Sequence, residues 1–323
     1  MNAPAKHASL RGMPRPQKPQ ALPPGAVIAV FAPASPGNDD KEQLGCSELE
    51  RLGFSLKKRA RQVSEGYFAA AIAERFVELL RNLRDGRVDG LVALRGGYGS
   101  TYLLEGLLDA NVTQPKAIIG FSDLASLHIF LWQHHGWVTF YGPMVAAGLN
   151  AGAGAPGGYD EQSLLNAVRK TDGGWAIPLR AEPLVAGEAS GRVLGGAMTM
   201  VEATFGTAWE LDTRGAILLL EDRAMKPYQV DRVLMHFKQA GKFEGVKGIV
   251  FGDFPESEPP VAGSPTVRDV CARILGPLGV PVVYGAPIGH TARPMLTVPL
   301  GVNARLHASG EGTLEILEAA VTR

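Results

Sequence analysis

The feature that most constrains this chain is a set of continuous apolar runs. Each ends in glycine, proline or small residues, and nearly all are followed by a helical pattern. The runs are AVIAVFAPAS (26–35), VDGLVALRG (88–96), AIIGFS (117–122) and VTFYGPM (138–144). A strand that is apolar on both faces must be covered on both faces, which is the situation of a parallel strand in an α/β sheet. Between the runs lie DKEQLGCSELERLGF (40–54), AAIAERFVELLRNLRDG (70–86), TYLLEGLLDA (101–110) and LASLHIFLWQHHG (124–136), with the basic run SLKKRA (55–60) as a further short strand. This alternation predicts βαβ units in an open parallel sheet. Such a sheet offers its ligand site at the carboxyl ends of the strands. RGGYGS (95–100) and GFSD (120–123) are strand ends of that kind.

From Glu188 onward the pattern changes to α+β. EASGRVLGGAMTMVEATFGT (188–207) reads as strand, turn and helix, and GAILLLEDRAMKPYQVDRVLMHFKQAG (215–241) as an apolar strand, a charged break and an amphipathic helix. VKGIVFGDF (246–254) is a strand, residues 266–290 read as a helix followed by a strand, and residues 293–322 as short antiparallel strands. The length of 323 residues suits two domains. Residues 1–20, rich in proline and basic residues, lack the apolar core of a signal peptide and are expected to be a disordered tail. Residues 21–148 are expected to form the first domain, 149–187 a flexible Gly/Ala-dominated linker, and 188–323 a smaller second domain. Gly152, Gly154 and Gly157 have G-x-G-x-x-G spacing, but they follow no clear strand and enclose Pro156, so they do not read as a dinucleotide loop.

Composition narrows the partners. Lys+Arg and Asp+Glu both total 32, without the basic excess expected of a nucleic-acid binder. No run reaches the ~20 apolar residues of a membrane span. Cys46 and Cys271 form neither a disulfide framework nor a CxxC site, and no HExxH or tight His/Cys/Asp cluster predicts a metal. The expectation is a cytoplasmic protein with no cofactor, no metal, and neither nucleic acid nor membrane as partner.

Ser122 can be read in two ways. Ser and Asp at a helix start are the usual N-caps. A serine between a buried strand and a helix is also the place of a nucleophile elbow. Two other strand ends carry matching chemistry: Glu221, with Asp222 beside it, closes ILLLED, and His290 follows VVYGAPIG. Hydroxyl, imidazole and carboxylate are the parts of a serine triad, in which the carboxylate fixes the tautomer of the base. Each also has a plain reading as a cap, a solvated strand end or a loop histidine. His128, His134 and His135 read as structural, and His236 as the edge of a core. RGGYGS lacks the Gly-Lys-Ser/Thr of a phosphate loop, so its glycines fit an oxyanion loop or a tight β–α turn.

Taken together and in order, VIAVFAPAS, VDGLVALRGGYGSTYLLEGLL, PKAIIGFSDLASLH, VTFYGPM, GRVLGGAMTM, LLLEDRAMKPYQVDRVLMHF, GIVFGDF, GAPIGH and VPLGVNARL resemble the LD-carboxypeptidases of serine peptidase family S66, with the microcin C self-immunity peptidases as a sister branch. The resemblance implies a flavodoxin-like or amidotransferase-like parallel-sheet N-terminal domain, a smaller α+β C-terminal domain and a homodimer. It implies Ser122 as nucleophile, Glu221 as triad acid, His290 as base, and backbone amides of Asp123 and Gly97 as oxyanion donors. The implied substrate is a small muropeptide, a peptidoglycan tetrapeptide that loses its terminal D-alanine. Arg95 is a candidate for holding the D-alanine carboxylate, or else the partner of an acid. The chain departs from the family at Ala197 and Met198, where Gly-Gly-Asn-Leu is common, and in RAMKPY (223–228). Hydrolysis of aminoacyl-nucleotide conjugates is the alternative activity, and Gly96–Gly97–Tyr98–Gly99 in place of Gly-Gly-Tyr-Asn favours the carboxypeptidase. A non-catalytic binding homologue would be expected to have lost a triad residue.

Overall fold

The computed structural model describes residues 14–57, 59–60 and 62–323. The first half runs β1 (Val27–Phe31), α1 (Asp39–Arg51), β2 (Ser55–Lys57), α2 (Ile72–Arg84), β3 (Gly90–Ala93), α3 (Leu104–Leu108), β4 (Ala117–Gly120), α4 (Ala125–His135) and β5 (Thr139–Tyr141). The second half runs α5 (Glu161–Arg169), β6 (Trp175–Pro178), β7 (Glu182–Val185), β8 (Gly187–Ala197), α6 (Met198–Glu202), β9 (Ala216–Glu221), α7 (Pro227–Gln239), β10 (Gly248–Gly252), α8 (Val267–Leu275), β11 (Val282–Ala286), β12 (Val298–Leu300), β13 (Asn303–Ala308) and β14 (Thr313–Ile316).

The first sheet has the order β12-β5-β4-β3-β1-β2. β1 to β5 are mutually parallel, and their order 2-1-3-4-5 is that of flavodoxin-like folds. This agrees with the fold class expected from the sequence. β1, β3 and β4 are buried nearly throughout, as their unbroken apolar runs required. The second sheet has the order β6-β14-β13-β8-β9-β10-β11-β7. Its centre, β8 to β11, is parallel, and antiparallel strands flank it on both sides.

α4 explains how the two sheets lock together. A helix that is apolar all round has to be buried all round, and every residue from Ala125 to Trp132 is buried. Leu127, Phe130 and Leu131 join the core around the first sheet, whereas Ile129 and Trp132 join the core formed by the second sheet with α7 and α8. The helix that follows Ser122 is therefore held from two sides.

Three expectations are corrected. The stretch expected to be a linker, 149–187, carries α5, β6 and β7, and β6 and β7 are the two edge strands of the second sheet. Its Gly/Ala bias is confined to the short segment before α5, where Asp160 caps the helix by accepting from Ser163 N at 2.8 Å. Of the expected tail, residues 1–13 lie outside the described residues, but residues 14–20 are tied down. Gln17 N donates to Gly136 O at 2.7 Å, Val138 N to Gln17 O at 2.9 Å, and Lys18 pairs with Glu318 at 2.8 Å. Third, β12 comes from the C-terminal stretch 188–323 and yet pairs antiparallel with β5 at the edge of the first sheet. Sequence position does not sort residues cleanly between the two sheets. His236, expected at a core edge, is exposed, pairs with Glu202 at 2.8 Å and stands edge-on at 5.2 Å to Phe205, which packs against the core of the second sheet. Among the described residues no helix is long and apolar enough to cross a membrane.

Candidate active site

Ser122 sits at the carboxyl end of β4 with φ of 64°, in the left-handed region. A serine there is strained, and such strain is found at sites where the surroundings over-determine the backbone. Neither the short 3₁₀ turn Ser122–Leu124 nor α4 has a side-chain cap. The N-cap reading of Ser122 is thereby excluded, and the turn has the strained geometry of an elbow. The turn is braced from behind. Asp123 is buried and accepts from Gly99 N at 3.2 Å and Ser100 N at 2.8 Å, while its carbonyl accepts from Ser100 Oγ at 2.7 Å. These bonds tie the loop after β4 to the glycine loop after β3. Burial pushes the Asp123 carboxyl above its usual range, against the Ser100 and Gly99 donors and Arg75. His128 of α4 faces Gly120 O through Nε2 at 2.9 Å, and burial drops its pKa to about 4.

Glu221 is the last residue of β9 and is fully buried. His290 follows β11, two strands away, so the carboxylate must reach across the end of β10. Two glycines clear the way. A Cβ on Gly252, at the end of β10, would lie 2.5 Å from Glu221 Cβ. One on Gly289 would lie 2.3 Å from the Glu221 carboxyl carbon, and Gly289 has φ of +60°. With both bare, Glu221 Oε2 accepts from His290 N and faces His290 Nδ1, each at 2.9 Å. That leaves Nε2 as the free ring nitrogen. Burial disfavours the imidazolium, but the charge and hydrogen bond of Glu221 outweigh it and hold the His290 pKa above the ordinary 6.5. The Phe121 ring stands edge-on to the imidazole at 5.1 Å.

The expected residues converge. Ser122, Asp123, Gly97, Arg95 and His290 line one cavity of about 600 Å³, and Glu221 lies beneath His290. The cavity sits at the carboxyl ends of β3, β4 and β9, between the two sheets. Arg95 is exposed and donates to Pro36 O at 3.4 Å. Among the described residues it has no carboxylate partner, so the pairing alternative fails there.

Tyr141 escaped the sequence reading, and Asp222 was noted there only as the neighbour of Glu221. Tyr141, the last residue of β5, is fully buried; its hydroxyl donates to Glu221 Oε1 and accepts from Ser122 N at 3.2 Å. Burial and then the Glu221 charge push this phenol well above its ordinary pKa. Asp222 lines the cavity and accepts from Thr199 N at 3.0 Å, Thr199 Oγ1 at 2.8 Å and Arg223 N at 2.9 Å. Burial and the neighbouring Glu221 raise its pKa. The FYGPM run held the only signal for Tyr141, a polar aromatic at a strand end. Ala197, at the family departure, also lines the cavity.

Family models for the N-terminal and C-terminal domains of LD-carboxypeptidase, peptidase S66, match residues 28–142 and 190–306. The chain belongs to the LD-carboxypeptidase family. A probable murein peptide carboxypeptidase of Bacillus subtilis is 32% identical over 309 residues, 94% of this chain and 95% of the relative. Among solved structures, a muramoyltetrapeptide carboxypeptidase from Oxalobacter formigenes matches with a TM-score of 0.79 and 24% identity, over 92% of this chain and 100% of that one. A microcin C7 self-immunity protein bound to glutamyl sulfamoyl guanosine matches with a TM-score of 0.84 and 23% identity, over 95% and 100%. Like its family, this LD-carboxypeptidase is a serine carboxypeptidase and a hydrolase.

Proposed function

We propose that Ser122, His290 and Glu221 form the catalytic triad of this LD-carboxypeptidase and that its substrate is a murein tetrapeptide, from which it releases the terminal D-alanine. The observation that carries this reading is the Glu221–His290 pair, bonded at 2.9 Å, opening onto the same cavity as a serine with φ of 64°.

In this mechanism His290 Nε2 takes the Ser122 hydroxyl proton as Oγ attacks the carbonyl carbon before D-alanine. Glu221 holds Nδ1–H and stabilises the imidazolium. The Ser122 N–H is engaged by the Tyr141 hydroxyl. The oxyanion is taken by the amides of Asp123 and Gly97, the donors that the family resemblance implies, and loss of one such donor costs about 3–4 kcal/mol. His290 passes its proton to the departing amine, D-alanine leaves, and an acyl-enzyme on Ser122 remains. Water then attacks, its proton goes to His290, and the bond to Ser122 Oγ breaks. Arg95, exposed at the rim and free of a carboxylate partner among the described residues, binds the D-alanine carboxylate. The proposal includes a role in peptidoglycan recycling and a homodimer, both carried from the family resemblance, and a cytoplasmic location, carried from the reading of residues 1–20 as lacking a signal-peptide core.

The test is D-alanine release from L-Ala-γ-D-Glu-meso-diaminopimelate-D-Ala. Wild type is expected to release it, and Ser122→Ala to lose at least about 10⁴-fold while staying folded. No release by folded wild type would refute the substrate and direct attention to aminoacyl-nucleotide conjugates.

A further inference from the structure

The triad is split between two sheets: Ser122 follows β4 of the first, and Glu221 ends β9 of the second. A single hydroxyl joins them. Ser122 N–H can only donate and the Glu221 carboxylate can only accept. The Tyr141 oxygen therefore accepts from Ser122 N at 3.2 Å and gives its one proton to Glu221 Oε1. The other carboxylate oxygen, Oε2, takes both bonds from His290. The carboxylate is thus gripped at both ends, and neither oxygen can turn without breaking a buried bond. The ring that carries the hydroxyl is itself wedged, edge-on to Phe121 at 6.3 Å and near His128 at 6.1 Å.

We propose that Tyr141 is a positioning residue for catalysis: its hydroxyl registers the Glu221 carboxylate against the Ser122 turn, so that groups on different sheets close as one unit. This rests on the triad reading of Ser122, His290 and Glu221. Tyr141 need not touch the substrate. Its effect passes through Glu221 to His290 on one side and through the Ser122 backbone on the other. The titratable groups that face it are Glu221 and Asp222 from the end of β9, His290 beyond Glu221, and His128 from α4.

The experiment is a cycle of Tyr141→Phe, Glu221→Ala and the double variant. Its readout is the rate of Ser122 labelling by a fluorophosphonate across pH, with D-alanine release measured in parallel. The probe needs the nucleophile and base but not the peptide substrate. Tyr141→Phe is expected to slow labelling about 10²-fold, the scale of a misplaced catalytic group. The fall in D-alanine release should sit in kcat, with KM little changed. The acid limb should move to higher pH, because a carboxylate that has lost one donor leans harder on the imidazolium. In the Glu221→Ala background the same substitution should add no more than about twofold, since its target is gone. Fully multiplicative effects, a loss confined to KM, or Tyr141→Phe labelled at the wild-type rate would overturn the proposal while leaving the triad standing. A folded wild type that takes no label would overturn the triad reading and this proposal with it. Should Tyr141→Phe not fold, 3-fluorotyrosine at position 141 keeps the ring and strengthens the donor. It should move the acid limb to lower pH, and an unmoved limb would refute the coupling.

Discussion

At the end of β4 two neighbouring loops do the positioning: Ser122 is held at φ of 64° in a turn where the Asp123 carboxylate accepts from the Gly99 and Ser100 amides and the Asp123 carbonyl accepts from the Ser100 hydroxyl. At the end of β9 side chains from distant elements do it. Glu221 lies over Gly252 and against Gly289, and its two oxygens are divided between Tyr141 and His290. The first arrangement depends on residues adjacent in sequence or one loop away. The second brings together β5, β9, the end of β10 and the loop after β11. A local turn can be spelled out in a few residues. A buried carboxylate that must not lose a partner depends on the whole packing, because an unpaired charge in a dry interior is costly.

That contrast can be broken or sharpened by experiment. The largest effect is expected from Glu221→Gln, about 10⁴-fold in kcat/KM, the scale seen when a triad loses its acid. It also has a sign in pH. His290 sits above 6.5 because Glu221 outweighs burial. Without the carboxylate charge, burial, the largest influence, is joined by Arg223 and opposed only by the weaker pull of Asp222, and the acid limb should drop below 6.5. A limb that stayed in place would show that the second region is not organised around this pair.

Next is Gly289→Ala. The new methyl would start 2.3 Å from the Glu221 carboxyl carbon at a backbone φ of +60°. Activity should fall about 10²-fold, with a stability loss of about 1–3 kcal/mol readable as a lower urea midpoint. Arg95→Ala should act on the first region's rim alone. KM for the tetrapeptide should rise about 10-fold, the scale of one lost hydrogen bond to a charged group, with kcat held. A fall in kcat instead would remove Arg95 from substrate binding and make it part of the turn.

The smallest effect on activity at neutral pH is expected at His128, which backs the Ser122 turn through Gly120 O. Its consequence is in stability. Its folded pKa is about 4, depressed by burial below 6.5, so the unfolded chain takes up its proton first. Stability should fall as pH drops from 6.5 toward about 4, and His128→Gln should flatten that part of the urea-midpoint profile. His290 works the other way. Its folded pKa is raised, so its contribution is complete below 6.5 and is lost as pH rises through the folded value. A wild-type profile that did not fall on acidification, or one that His128→Gln left unchanged, would count against a neutral, buried His128.

Much of the parallel sheet was legible from one property, apolarity on both faces. Strands at 26–35, 88–96 and 117–122 and the helix after Ser122 could be placed because burial on two sides leaves no room for polar alternation. The region 149–187 was misread for a related reason. Its glycines look like a linker, while edge strands such as β6 and β7 pack on one side only and carry a weak signal. β12 was misplaced because three residues of a strand say nothing about which sheet will take them. At the site, Ser122, Glu221 and His290 could be proposed as strand-end residues, but the cap and elbow readings of Ser122 stayed open until its backbone angle and missing cap bond were known.

The sequence by itself determined the strand–helix alternation, the family through its ordered motifs, and the candidates for the reactive side chains. These properties are written in residue type and local spacing. Only the tertiary structure decided that one tyrosine hydroxyl spans the two sheets, that two glycines let Glu221 reach His290, and that Arg95 has no acid beside it among the described residues. Each is a relation between residues well separated in the sequence, by 80 positions for Tyr141 and Glu221. Such relations are set by the packing of buried groups that must all find partners, and no local pattern encodes that requirement.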